Sequence, residues 1–386
     1  MRILYVAPYP PLKSGVADYA YHFKKAMEQN LDIQMDLLDI FQNENIYTIN
    51  EFASLGNQIK FLKKIREYNI IHFEIGVGQN REFYILHFIK KYHPLIKTVV
   101  TLHDPPRVLS APMKFIGLEN MPRAIRGVRK LFDLTVGKYW EKKKLRDIDC
   151  VITLTEKGKY RIEEKLKCNV YCLPHLSYRR NISDKQYRDK VKKILFLGYL
   201  GSKKGVDILI RSFEKLISID SEYKNIKLYI CGGITEGGKQ TKFYNYLLNL
   251  PSTLGISKSV IFTGRISNQE KEFYLNDSDI LVLPYRRHGT FGASGVLIEG
   301  MSYGLPIIVS DTKSFDSEVQ DGKTGLLFED GNIEMLYEKI KLLAENKELR
   351  QKLGSNAREH ILKEHNWKYV ASKMKQIYEN VLQERV

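Results

Sequence analysis

The sequence predicts an α/β protein made of two doubly wound units, and three observations carry that reading. Short, continuous apolar runs rich in Val and Ile alternate with helical stretches, the mark of parallel strands buried on both faces. The pattern lapses near residues 180–190 and then restarts. At 386 residues the chain also exceeds one ordinary core.

The elements follow in order. RILYVAP is an apolar run closed by prolines; after it come a loop holding Gly15 and a helical pattern through Tyr19, Phe23 and Met27. NIIHFEI (69–75), KTVVTLH (97–103) and CVITLT (150–155) repeat this logic, each leading into loop or helix. After NVYCLPH (169–175) the stretch SYRRNISDKQYRDKVKK has almost no apolar periodicity and reads as a linker. The expected domains are therefore 1–182 and 183–386. In the second, the strands are KILFLG (193–198), IKLYIC (226–231), VIFTG (260–264), DILVLP (279–284) and PIIVSD (306–311). Helical sequence such as VDILIRSFEKLISI and EGMSYG lies between them. From about Asn366 to Val386, Trp367, Val370, Met374, Ile377, Tyr378 and Leu382 mark one helical face. That helix packs on its own domain or crosses back to the first. Two such units facing each other are expected to leave a cleft at the carboxyl ends of their strands, where ligands of these sheets bind.

Composition narrows the function classes. Hydrophobic residues at 43% and charged residues at 27% are a soluble globular balance. No apolar run approaches the ~18–20 residues that cross a bilayer. The amino-terminal apolar stretch stops at Pro8 with no small-residue cleavage site after it, so no secretory signal is expected. Cys150, Cys168, Cys172 and Cys231 fit neither a disulfide framework nor paired zinc spacing, and a reducing cytoplasm is the simplest home. The formal charge of +16 favours anionic partners: nucleic acid, phosphorylated small molecules or an acidic membrane surface. A basic surface with no single partner gives the same number.

Two glycine motifs argue against themselves. GGITEGGKQT follows a strand and nearly matches a P-loop through Gly233, Gly238 and Lys239. Gln240, however, stands where a hydroxyl should bind Mg²⁺. GVG at 76–78 has Arg81 where a dinucleotide loop needs its third glycine.

A stronger constellation is DILVLPYRRHGTFGASGVLIEGMSYGLPIIVSD, which reads strand, loop, helix, tight turn, strand. Ser294 is a plausible N-cap, and the amides of Gly295 and Val296 open a helix whose positive end suits a phosphate. Glu299, one turn on, cannot favour phosphate but can accept hydrogen bonds from a ribose diol. In ILFLGYLGSKKGVDILI, Lys204 follows a glycine-rich turn at the end of a strand, where its ammonium would neutralise a departing diphosphate.

At these residues the second unit resembles the donor-binding half of a family 4, GT-B-fold retaining glycosyltransferase (glycosyl transferases group 1). The matching stretches are GYLGSKKGVDILIRSF, VIFTGRISNQEKEFYLNDSDILVLP, SGVLIEGMSYGLPIIVSD and DGKTGLLFED. The first unit is similar too, in PPLKSGVADY and TLHDPP, so the resemblance covers nearly the whole chain. It implies that Glu299, matching the second carboxylate of E-x₇-E, holds the donor ribose. Lys204 matches the base on the donor phosphates, and Gly295 and Val296 the helix-start amides at the diphosphate. Gly15 and Val16 match the loop that approaches phosphates or acceptor, and His103 the histidine near the donor sugar. Two positions depart from the family: Phe291 replaces the first Glu of E-x₇-E, and Tyr199 the arginine that accompanies the lysine. Arg286, Arg287 or His288 are the expected compensations.

Other groups are ranked behind these. Asp18, Glu74 and Asp104 stand where a carboxylate could bind acceptor hydroxyls or assist deprotonation, or serve only structure. From Arg107 to Arg146, basic residues including Arg126, Arg129 and Lys130 flank Ile125, Val128, Phe132, Val136 and Tyr139 at helical spacing. That stretch reads as a face for an anionic membrane carrying a lipid-linked acceptor, or as a core-facing helix with a solvated outer side. No recognised nucleic-acid module appears.

The resulting expectation is a retaining hexosyltransferase that uses a UDP- or GDP-sugar as co-substrate, with no cofactor and no obligatory metal. Its acceptor would be a glycan or lipid-linked hydroxyl in bacterial cell-surface polysaccharide or glycoconjugate synthesis, with the enzyme free in the cytoplasm or peripheral on the inner face of the plasma membrane. The rivals are a non-catalytic sugar-nucleotide- or glycan-binding subunit, a sugar-nucleotide epimerase on the same fold, and an NTPase using Lys239.

Overall fold

The computed structural model of the protein describes residues 1–12, 14–30, 33–38, 55–76, 82–105, 148–164, 168–177, 185–219, 221–234, 241–286, 292–312, 315 and 317–383. The chain forms two compact units. The first comprises Met1–Leu176, Thr290–Ala293 and Trp367–Val386; the second comprises Ser177–Gly289 and Ser294–Asn366.

In the first unit the strands are β1 (Arg2–Val6), β2 (Gln34–Leu38), β3 (Ile70–Ile75), β4 (Lys97–Leu102), β5 (Cys150–Thr153) and β6 (Asn169–Cys172). They pair in parallel in the order β2-β1-β3-β4-β5-β6. Helices α1 (Gly15–Asn30), α2 (Leu55–Ile65), α3 (Glu82–Tyr92) and α4 (Glu156–Glu163) lie in the connections. Strand β3, IIHFEI, is buried along its whole length, which is why its sequence lacks apolar–polar alternation. Ile71, Phe73 and Ile75 join Phe61, Phe83, Leu86 and Ile89 in one core layer. His72 and Glu74 alternate with them and so point to the opposite face.

The second unit repeats the plan with β7 (Lys193–Leu197), β8 (Lys227–Cys231), β9 (Val260–Gly264), β10 (Ile280–Leu283), β11 (Ile307–Ser310) and β12 (Leu326–Phe328). Their parallel order is β12-β11-β10-β7-β8-β9. Around the sheet run α5 (Val206–Ile219), α6 (Thr241–Thr253), α7 (Asn268–Asp277), α8 (Gly295–Ser302), α9 (Ile333–Glu345) and α10 (Lys347–Glu364). Local chemistry sets several helix starts. Ser267 and Glu270 form a reciprocal capping box at α7, while the side chains of Asn332 and Asn346 cap α9 and α10. The last helix, α11 (Trp367–Gln383), counts with the first unit and packs on α1, burying Val370, Met374, Ile377, Tyr378 and Val381.

Strands β2 and β12 are additions to the strands read from the sequence. Both sheets have a place where successive connections leave in opposite directions. It lies between β1 and β3 in the first unit and between β7 and β10 in the second. The carboxyl ends of such strand pairs leave a crevice, and that is where each unit's polar groups collect.

Candidate functional site

In the second unit, β7 ends in a loop that enters a 3₁₀ turn, Ser202–Lys204, and Gly205 closes it with φ 62°. A side chain at Gly205 would bring its Cβ within 1.9 Å of the Pro284 carbonyl, so the turn lies directly against the segment leaving β10. The Arg286 amide donates to the Lys203 carbonyl at 2.9 Å, a second stitch between the same segments. Lys204 thus stands at the β7–β10 crevice. Its Nζ rests 3.6 Å from the centroid of the Tyr285 ring, a close cation–π contact.

The other side of the crevice is α8, which follows β10. Ser294 is extended, at φ −105° and ψ 106°, and its Oγ accepts from the Leu297 amide at 3.4 Å. Gly295 and Val296 supply the first-turn amides of this helix, at the positive end of its dipole. Glu299, mostly buried, accepts from Lys271 of α7 at 2.7 Å. The Glu299 carboxylate is therefore held in place by an ammonium. The sequence reading missed Lys271, because its link to Glu299 runs across the packing of two helices.

The expected replacements for the absent arginine are distributed differently. Arg286 is committed to Asp207, at 2.6 Å. Arg287, His288 and Phe291 lie outside the described residues, as do Gly238, Lys239 and the whole basic stretch from Arg107 to Arg146. The guanidinium beside Tyr199 is that of Arg265, 5.9 Å from the ring centroid and 3.5 Å from the hydroxyl. Arg265 immediately follows β9, at the same edge as the other strand ends, and that placement was visible in the run VIFTGR.

In the first unit, Ser14 caps α1 by accepting from the Ala17 amide at 3.1 Å. This places exposed Gly15 and half-buried Val16 at the helix start, with Asp18 exposed in the first turn. Val16 lies against Gly76, where an added Cβ would meet its Cγ2 at 2.8 Å. The loop after β1 and the end of β3 are thereby in contact.

Glu74 and His103 come together, although not as two surface groups. Glu74 is fully buried; Oε1 accepts from the Tyr5 hydroxyl at 2.8 Å, and Oε2 lies 2.7 Å from His103 Nε2. Of the two readings open to Glu74, its burial behind His103 fits the structural one. The His103 tautomer that carries its proton on Nε2 is the one that donates to a Glu74 carboxylate. The His103 ring also packs edge-on against Tyr19, with centroids 4.9 Å apart. Asp104 follows it, half-buried.

Behind this pair, His72 bridges Tyr378 of α11 (2.6 Å) and Thr101 of β4 (2.7 Å). Burial pushes its pKa down to about 4 against the opposing pull of Glu74. Burial likewise raises the Tyr5 and Tyr378 hydroxyls well above their usual range, so both remain proton donors.

Residues 178–360 match the family model described as glycosyl transferases group 1. The second unit is a group 1 glycosyltransferase domain. The whole chain is 29% identical over 400 residues to the uncharacterized glycosyltransferase MJ1178 of Methanocaldococcus jannaschii, covering 99% of each protein. The capsular polysaccharide biosynthesis glycosyltransferase CapM of Staphylococcus aureus is 26% identical over 208 residues, 53% of this chain and 51% of CapM. With several curated relatives, then, the match spans about half of the relative's length, whereas with MJ1178 it is end to end. Among solved structures, sucrose-phosphate synthase from Thermosynechococcus elongatus superposes with a TM-score of 0.70 at 15% identity over 99% of both chains. Anabaena Alr3699/HepE in complex with UDP gives 0.71 at 13% identity over 98% of this chain and 100% of that one. These likenesses establish the GT-B fold for the glycosyltransferase, two parallel six-stranded sheets with interleaved helices. Among the described residues no helix is long and apolar enough to cross a membrane.

Proposed function

We propose that the protein transfers a hexosyl unit from a UDP- or GDP-sugar to an acceptor hydroxyl with retention at the anomeric carbon. One observation carries the reading: Lys204 follows β7 and α8 follows β10, so an ammonium and a helix start both border the crevice between these two strands. As the anomeric C–O bond breaks, negative charge grows on the diphosphate. Lys204, lifted from the Tyr285 ring, and the amides of Gly295 and Val296 oppose that charge. Glu299, steadied by Lys271, accepts from the ribose diol. In this reading His103, oriented by Glu74, serves the sugar end of the donor, and the loop at Gly15 and Val16 serves the phosphates or the acceptor. Neutralisation rests on these groups, so no divalent ion and no cofactor are assigned.

The UDP bound to the HepE neighbour and the capsule biosynthesis role of CapM support a nucleotide-sugar donor and a cell-surface polysaccharide or glycoconjugate acceptor. The net charge of +16 suits both that donor and a lipid-linked acceptor at an anionic cytoplasmic membrane face. A second reading, a donor-binding partner without turnover, is favoured by Phe291 and Tyr199 at two family positions. Incubating purified protein with a panel of UDP- and GDP-sugars and acceptors separates the two. Nucleotide release that disappears in Glu299→Ala is the expected result. Binding with no release by the wild type would sink the transferase reading and leave the binding subunit.

A further inference from the structure

We propose that Glu318, His360 and His365 bind a divalent transition metal, and that zinc is the ion their chemistry fits. The three lie in the second unit and take no part in the donor site described above. Glu318 belongs to the turn after β11, His360 to the last turn of α10, and His365 caps that helix. Both imidazoles aim the same atom at one carboxylate oxygen: His360 Nε2 is 2.9 Å and His365 Nε2 is 2.7 Å from Glu318 Oε2. All three donor atoms lie within 4.8 Å of one another. The two rings stand 5.5 Å apart with a 66° tilt, so they approach from separate directions rather than stacking.

An imidazole nitrogen facing a carboxylate oxygen either donates a proton to it or shares a cation with it. Two imidazoles and a carboxylate are a zinc-type donor set. Ligand bonds of about 2.0–2.2 Å would put donor atoms roughly 3.3 Å apart around a tetrahedral ion, so the two nitrogen–oxygen distances need to open by only a few tenths of an ångström.

The backbone under each ligand is anchored without the metal. The Glu318 amide donates to the Phe315 carbonyl at 3.0 Å, and its own carbonyl accepts from Thr324 at 3.0 Å. The His365 amide donates to Ile361, and its carbonyl accepts from the Ser177 amide, both at 2.9 Å. Such a site is preformed and does not have to be ordered by the ion. Glu318 and His365 are buried while His360 is partly exposed, which gives the ion a route in and leaves a coordination position for solvent. The bound metal would staple the turn after β11 to the end of α10, a structural role independent of the transferase reading.

The test uses full-length protein freed of metal with EDTA, then titrated with Zn(II) against a chromogenic chelator, beside His360→Gln and Glu318→Gln. One zinc per chain, with affinity lowered by roughly 100-fold in variants that keep native circular dichroism, is expected. Equal uptake by wild type and variants, or no uptake by wild type, overturns the proposal and leaves a hydrogen-bonded cluster. If the variants lose their fold, Co(II) on the wild type decides. Intense visible absorption of a low-coordinate site supports the metal, and the pale spectrum of an octahedral aqueous ion refutes it. Sugar-transfer assays bear on neither outcome.

Discussion

Lys204 shows how much of the proposed chemistry rests on single side chains. Its ammonium lies on the Tyr285 ring, a resting contact weak enough to exchange for a phosphate and strong enough to keep the long side chain from wandering. Lys204→Ala should lower turnover by ~10²–10³, the cost of removing one preorganised donor, with circular dichroism unchanged. Wild-type nucleotide release in that variant would count against the assignment. At this scale the places of Lys204, Ser294 and Glu299 in the fold were legible because each sits at a fixed offset from a strand. Lys271 was not, nor was the pairing of Arg265 with Tyr199, since the fold chooses such partners. Lys271 reaches Glu299 from 28 residues away, and no local spacing encodes that pairing. Glu74 stayed open between two roles for another reason. A carboxylate ending a buried strand looks the same in sequence whether it faces solvent or, as here, Tyr5 and His103.

At the level of elements, the turn and the strand make separate predictions. Gly205 combines a left-handed φ of 62° with a Cβ position 1.9 Å from backbone oxygen, and no rotamer change relieves that overlap. Gly205→Ala should cost about 3 kcal/mol in chemical denaturation and displace the Lys204 turn, weakening donor binding as well. His72 ties β3 to β4 and α11 in its neutral form. Its folded pKa of about 4 lies below its ordinary 6.5, so the unfolded chain takes up a proton that the native state refuses. Its contribution is complete above pH 6.5 and fades as pH falls toward 4, at about 1.4 kcal/mol per pH unit. Urea unfolding across that range should show a shallower pH slope in His72→Gln than in the wild type; parallel slopes would refute the account. The buried strands were readable as unbroken apolar runs. β2 and β12 were not, because an edge strand such as QMDLL alternates unevenly and LLF is only three residues long.

For the whole molecule, the chain crosses to the second unit after Leu176 and returns at Trp367. Helix α11 is thus a late-arriving part of the first unit's core. Ending the chain at Asn366 would remove Val370, Ala371, Met374, Ile377, Tyr378 and Val381, all buried. At about 1.5–3 kcal/mol for each large apolar side chain, that loss rivals the ~5–15 kcal/mol by which a domain is stable. The truncated protein should aggregate or bind a hydrophobic dye, as followed by size-exclusion chromatography and fluorescence. A monodisperse product with native near-ultraviolet dichroism would show that the helix is dispensable. The sequence allowed this helix either domain, because an amphipathic stripe specifies that a face is covered and not by what.

The bond from the Ser177 amide to the His365 carbonyl has a bearing on how such proteins diversify. It clasps together the two ends of the polypeptide that builds the second unit. Apart from the brief excursion at 290–293, that unit is an insertion whose endpoints meet. A homologous cassette with its own sugar preference could be grafted between the same two points without changing the gap to be spanned.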